Sequence, residues 1–304
     1  MSVTVPRVPP SLPESTIRSD LPAERPAFGS KSLDDFLARY RRLFILTGAG
    51  CSTGSGIPDY RDENGEWKRS RPVMFQAFMG EPAVRARYWA RSLIGWRRFG
   101  HARPNDAHHA LARLERQERV EMLVTQNVDG LHQLAGSSAV IDLHGRLDRV
   151  RCMDCERRSP RQEMQQRLLD LNSGWAHLEA ADAPDGDADL EGVDFAGFRI
   201  PACEACGGLL KPDVVFFGES VPRERVTAAM GAVGRADAML VVGSSLMVYS
   251  GYRFAQAAAQ SGRPIAAVNL GRTRADDLLA LKVSEPCATA LAFLLDGGAG
   301  GPAS

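Results

Sequence analysis

The chain has 304 residues, 44% of them hydrophobic, and its 37 lysines and arginines balance 37 aspartates and glutamates. That length supports about two domains whose core needs no disulfide staples, and the balanced charge leaves no general basic surplus for nucleic acid or an anionic membrane. No apolar run reaches the roughly 20 residues of a membrane helix, and the first thirty residues hold no apolar signal-peptide core. The chain therefore reads as soluble, non-secreted and cytoplasmic, and its arginine bias (Lys31, Lys68, Lys211 and Lys282 are its only lysines) points to a bacterial source.

Residues 1–27 carry Pro6, Pro9, Pro10, Pro13, Pro22 and Pro26, which cannot sustain helix or strand periodicity, so an extended or disordered leader is predicted there. Short apolar runs follow at Leu43–Leu46, Met122–Val124, Ala139–Ile141, Val214–Phe217, Met239–Val242 and Pro264–Val268. Continuous apolar runs separated by helical stretches mark strands buried on both faces, which predicts an α/β fold with a doubly wound, Rossmann-like parallel sheet. Ligands of such sheets collect at the carboxyl ends of the strands. The polar residues that close these runs are thus the candidates for chemistry.

The first run opens into Gly48-Ala49-Gly50-Cys51-Ser52, then Gly56-Ile57-Pro58-Asp59-Tyr60-Arg61. Glycines after a buried strand let backbone N–H groups approach a pyrophosphate whose charge the next helix N-terminus stabilises, although a plain strand-to-helix connection looks the same. Position 53 is threonine where the dehydrogenase fingerprint needs glycine, which disfavours hydride transfer. The second run leads into Thr125-Gln126-Asn127-Val128-Asp129, whose amide and carboxylate side chains could orient a ribose and a carboxamide or simply cap the following helix. His144 closes the third run; a ring titrating near pH 6.5 can take a proton from a hydroxyl, or be a satisfied partner at a strand end.

Cys152 and Cys155 form one Cys-x-x-Cys pair and Cys203 and Cys206 a second, 47 residues apart. Two such pairs suit one tetrahedral, coordinatively closed structural zinc better than disulfides in a cytoplasmic chain. The stretch between them is acidic at 179–194 and reads as an inserted loop. Farther on, Gly243-Ser244-Ser245 and Asn269-Leu270-Gly271 end two more runs with groups that admit close backbone approach or bond ribose and phosphate oxygens. Cys51 reads as a small space-filler, and the glycine-rich tail 296–304 as frayed.

In this order the motifs Gly-Ala-Gly-x-Ser-x-x-x-Gly-Ile-Pro-Asp-Tyr-Arg, Thr-Gln-Asn-x-Asp-Gly and Leu-His-Gly resemble those of the sirtuins, NAD-dependent protein deacylases. The resemblance spans residues 30–290 and looks closest to the class II, mitochondrial sirtuin-four-like branch. It implies an NAD-binding domain over 28–147 and 209–295 and a small zinc module over 148–208. It implies NAD as co-substrate, held by Gly48, Ala49, Gly50, Ser52, Asp59, Tyr60, Arg61, Gln126, Asn127, Asp129, Gly243, Ser244, Ser245, Asn269, Leu270, Gly271 and Cys287. His144 would deprotonate a ribose hydroxyl while Asn127 and Asp129 position ribose and nicotinamide, moving the acyl group of a modified lysine to ADP-ribose. The partner implied is an acylated-lysine protein or peptide, which the segment Lys211–Glu219 would pair with as an added strand. Tyr88 and Arg91, three apart on a helix, match the spacing of family members that remove acidic acyl chains, with an ordinary surface arginine as the alternative. Transfer of ADP-ribose to a protein, or a non-catalytic NAD- or acyl-lysine-binding adaptor, are the competing functions.

Overall fold

The computed structural model describes residues 30–68, 72–175, 177–178, 181–182, 188–189 and 193–296; the expected leader 1–27, the tail beyond Asp296 and much of the acidic loop lie outside them. The strands are β1 (Leu43–Thr47), β2 (Val120–Thr125), β3 (Val140–Asp142), β4 (Gly145–Cys152), β5 (Arg158–Pro160), β6 (Ala181–Asp182), β7 (Ala188–Asp189), β8 (Leu210–Val214), β9 (Ala238–Val242), β10 (Ile265–Val268) and β11 (Leu281–Val283). The helices are α1 (Ser30–Arg39), α2 (Phe75–Gly80), α3 (Pro82–Phe99), α4 (Asp106–Arg116), α5 (Leu131–Leu134), α6 (Arg161–Leu171), α7 (Arg223–Arg235), α8 (Tyr249–Gln260), α9 (Cys287–Leu291) and α10 (Phe293–Asp296).

Six strands form one sheet in the order β11-β10-β9-β1-β2-β3, and every pairing in it is parallel. All five residues of β1 are buried, and the period-two alternation of a strand divides them between two helical layers. Leu43 and Ile45 join Leu37 of α1, Leu111 and Leu114 of α4 and Leu291 of α9 on one face. Phe44 and Leu46 join Ala232 and Val233 of α7 and Phe254 and Ala258 of α8 on the other. This two-faced burial is why the strands read as unbroken apolar runs rather than alternating ones.

From β1 the chain proceeds to β2 and β3 on one side and later to β9, β10 and β11 on the other, so the order reverses at β1 and β9. Thr47 stands opposite both Thr125 and Val242 in the register, which brings three strand ends level beside that reversal. A crevice at such a switch point is the general ligand site of open α/β sheets.

One expected strand is different. The run Val214–Phe217 does not join the parallel sheet: β8 ends at Val214 and pairs antiparallel with β4, which also pairs with β5, in a separate three-stranded sheet. Beyond Val214 the N–H groups turn elsewhere, Val215 to the His144 carbonyl at 2.8 Å and Phe216 to Glu219 Oε2 at 2.9 Å. A third core unites this small sheet with α2, α3 and α6 through Phe78, Tyr88, Trp89, Val150, Met164 and Leu168. Within it Arg161 is buried at the start of α6, donating to the Ser92 carbonyl at 3.1 Å and lying 5.4 and 5.1 Å from the Trp89 and Trp96 ring centroids. Burial without a facing carboxylate lowers its pKa to about 10.

Candidate active site

The turn after β1 and the turn after β9 pack glycine on glycine. Gly243 has φ +63°, and a Cβ there would sit 2.1 Å from the Cys51 nitrogen; a Cβ on Gly48 would sit 2.8 Å from the Gly243 carbonyl oxygen. Both strained conformation and contact exclude a side chain at 243. The N–H groups of Gly48 and Gly50 donate to Val242 O (3.1 Å) and Gly243 O (2.9 Å), so they knit the two turns together instead of facing a ligand. The helix N-terminus expected after the glycines is likewise replaced by two 3-10 turns, Ala49–Cys51 and Thr53–Ser55. Glycine here serves close approach of two strand ends rather than a dipole-backed phosphate cradle.

The crevice between these turns encloses about 330 Å³. Gly48, Ala49, Gly50 and Ser52 from the first turn, Gly243, Ser244 and Ser245 from the second, and Asn269, Leu270 and Gly271 after β10 line it, as do Asp59, Tyr60, Arg61 and Cys287. Gln126, Asn127, Asp129 and His144 line it from the ends of β2 and β3. Tyr88 of α3 also reaches this wall, whereas Arg91, half-buried on the same helix, does not.

Ser52 is the hub of the polar wall. Its hydroxyl donates to Asp129 Oδ2 at 2.7 Å and accepts from Asn127 Nδ2 at 3.0 Å, while Asn127 Nδ2 also donates to the Gly48 carbonyl at 3.1 Å. Asp129 Oδ1 accepts from Leu131 N–H at 2.9 Å, so this carboxylate caps α5 and faces the crevice at once. Burial raises its pKa, against the lowering by the bonds from Leu131 and Ser52. Gln126 is fixed by donating to Ser244 Oγ at 2.6 Å. Below lies a layer with no sequence signal: Thr47 Oγ1 donates to Thr125 Oγ1 at 2.8 Å and meets His132 Nε2 at 2.8 Å, and His108 Nε2 lies 3.4 Å from Ser52 Oγ. Cys51, His108 and His132 place potential ligand atoms within 4.8 Å of one another, but His108 is engaged on both nitrogens, with Asn105 N–H at 3.3 Å on Nδ1. We read this trio as a buried polar knot.

His144 Nδ1 lies 2.9 Å from the Gln126 carbonyl oxygen and Nε2 2.9 Å from Ser250 Oγ. A carbonyl only accepts, so the proton is assigned to Nδ1 and the lone pair to Nε2. The ring does not titrate near 6.5: burial lowers its pKa to about 4, with Arg225 acting in the same direction and the Gln126 bond against it. At neutral pH the imidazole is uncharged and able to accept a proton.

The loop that follows the expected site residues Asp59, Tyr60 and Arg61 also brings Trp67 and Lys68, which the sequence did not single out, to the crevice. Arg61 bridges to Trp67 and lies 4.0 Å over its ring, Trp67 meets Tyr60 and Phe217 edge-on at 6.1 and 5.6 Å, and Asp59 pairs with Lys68 at 2.6 Å. Only Trp67 and Lys68 gave no signal, since a nonperiodic loop has no spacing that marks them.

In the small sheet the four thiols converge, with Cys152 and Cys206 sulfurs 3.4 Å apart, Cys155 and Cys203 sulfurs 3.8 Å apart, and all four within 4.8 Å. A tetrahedron with Zn–S bonds of about 2.3 Å has edges of about 3.8 Å, so the set fits a structural zinc with no open coordination position. Among the described residues no helix is long and apolar enough to cross a membrane.

A model described as the Sir2 family matches residues 48–250. A Bradyrhizobium diazoefficiens protein named NAD-dependent protein deacetylase 2 is 70% identical over 266 residues, covering 88% of this chain and 97% of its own. A Xanthomonas campestris pv. campestris protein named NAD-dependent protein deacetylase is 69% identical over 263 residues, 86% of this chain and 90% of its own. Among solved structures, Sir2 with a p53 peptide and NAD+ superposes with a TM-score of 0.70 at 32% identity, covering 89% of this chain and 99% of that one. A structure of Sir2Tm bound to a propionylated peptide gives the same TM-score, 0.70, at 32% identity and the same coverage, 89% and 99%.

Proposed function

Because this chain belongs to the Sir2 family and is an NAD-dependent protein deacylase, we propose that His144 is its general base and that the crevice between the turns after β1 and β9 seats the dinucleotide. The observation that carries the assignment is the neutral His144 ring, whose Nε2 lone pair meets only the Ser250 hydroxyl, in the same cavity as Asn127 and Asp129. In the reaction the carbonyl oxygen of an acyl-lysine attacks the ribose carbon that bears nicotinamide, and nicotinamide leaves with the bonding electrons. His144 Nε2 takes the proton of a ribose hydroxyl, the acyl group moves to ADP-ribose, and water completes release of the lysine amine. Asn127 and Asp129, locked through Ser52, orient the ribose and carboxamide. Cys152, Cys155, Cys203 and Cys206 would hold a zinc whose four thiolates leave it no open position for this chemistry, tying the ends of β4 and β8 together.

The substrate in this reading is an extended acyl-lysine peptide that adds as a strand beside β8, the edge of the three-stranded sheet, with the acyl chain entering near Tyr88 and Phe216. We read the activity as cytoplasmic, in keeping with four thiols poised for metal rather than disulfides. Incubation of an acyl-peptide panel with NAD, followed by mass spectrometry, tests the assignment. Nicotinamide release should require the peptide and fall by about 10²- to 10⁴-fold in His144→Ala; peptide-independent release, or radiolabel from NAD retained on an acceptor protein, would favour ADP-ribosyl transfer instead.

A further inference from the structure

We propose that Ser250 is a positioning residue for His144, a hydroxyl that partners Nε2 both before and after the ring takes up its proton. The inference rests on the reading of His144 as base and extends it to a residue on α8, 106 positions along the chain.

Ser250 lies in the first turn of α8, half-buried, with Oγ 2.9 Å from Nε2. Because Nδ1 carries its proton toward the Gln126 carbonyl, the Ser250 hydroxyl donates to the lone pair of Nε2 in the resting ring. A hydroxyl is also an acceptor. Once Nε2 has received a proton from a ribose hydroxyl, rotation about Cβ–Oγ turns an oxygen lone pair toward the new N–H, and the same contact becomes a charge-assisted bond. That second state matters more, because the surroundings offer an imidazolium little else. The charge that reaches the ring is the Arg225 guanidinium of α7, which opposes protonation. The contact from the loop after β2 is the uncharged Gln126 carbonyl on Nδ1, and from the end of β8 Val215 N–H reaches only the main-chain carbonyl of His144. Among the described residues no carboxylate bonds the ring. Removing Ser250 therefore strands the imidazolium N–H more than it affects the neutral ring, since bonds to charged groups are the stronger ones.

The experiment compares the full-length wild type, Ser250→Ala, Ser250→Thr and His144→Ala. It measures kcat, KM for NAD and the titration of His144 in histidine-labelled protein by NMR, with thermal melting to confirm folding. Ser250→Ala should lower kcat about tenfold, change KM for NAD by less than about twofold, and move the His144 titration to lower pH. Ser250→Thr, which keeps the hydroxyl, should restore both. An unchanged kcat in Ser250→Ala overturns the proposal, and so does a reduced kcat with an unmoved His144 titration, because a structural role alone would produce the latter. Deacylation surviving in His144→Ala would instead sink the assignment of the base itself, whatever Ser250→Ala does.

Discussion

Tyr88 and Arg91, three apart on α3, stand differently toward the crevice: only Tyr88 lines it. Tyr88 is 4% exposed and packs against Phe78 and Phe216, with ring centroids 5.4 and 5.2 Å away, at the edge of the crevice. Arg91 stands off the crevice wall. Together with Val73, Leu147 and Phe216, Tyr88 gives its side of the cavity an apolar lining, which, if the acyl chain enters there as proposed, suits an uncharged acyl group. Arg91→Ala should then lower kcat/KM for acetyl- and glutaryl-lysine peptides alike, within about twofold of each other. A loss of more than about tenfold confined to the glutaryl peptide would put a guanidinium on its distal carboxylate, a charge-assisted contact of that worth.

At the scale of elements, the four-thiol cluster would tie the small sheet to a zinc ion. β5 has three residues, and β4 and β8 lie on either side of the four-thiol cluster, with Cys152 at the end of β4 and Cys203 joined to Gly208 by a 2.9 Å bond. The core beneath this sheet leaves Cys155 and Cys206 exposed, so a structural zinc would contribute its binding energy directly to ordering the knuckles. The parallel sheet is organised by two other cores. Chelation of the zinc, or Cys203→Ser, should speed amide exchange in β4 and β8 while leaving β1 and β9 protected. Peptide turnover should fall by about tenfold or more, and NAD binding should decline less. Equal loss of protection across both sheets would show that the two units unfold together. His144, the proposed base, lies one residue before β4, so disturbance there reaches it through its main chain.

Across the whole molecule, acid sensitivity follows from histidines held neutral by burial. His108 is fully buried and lowered from 6.5 to about 4, His144 is also lowered to about 4, and His132 is lowered well below its ordinary value. Between pH 6.5 and 4 the unfolded chain binds protons that these rings refuse in the folded state. Their contribution is therefore complete above pH 6.5 and is lost as the pH falls toward 4, by up to about 3 kcal/mol for His108. Asp129 and Asp142, raised chiefly by burial, act in the opposite direction, because their folded carboxyls take up protons first. Melting temperature should fall between pH 7 and pH 5 in the wild type, with a shallower slope in His108→Asn. Identical slopes would mean that this ring does not carry the effect.

The doubly wound sheet was legible because strands such as Met239–Val242 are buried on both faces, and two-sided burial writes itself as an unbroken apolar run. The strand ends were legible for the same reason, since polar or glycine residues there interrupt the run at the crevice. β11 was not, as Leu281-Lys282-Val283 is short, polar at its centre and lies at the sheet edge. Val214–Phe217 misled, because an apolar run records burial and not the partner that buries it. Sequence alone determined the layers, the converging strand ends and the four thiols, all properties of local pattern and spacing. Only the tertiary structure decided that the glycines lock two turns together, that His144 is kept neutral and that Ser250 faces its Nε2. Those depend on distances and solvation between residues far apart in the chain, which no linear pattern encodes.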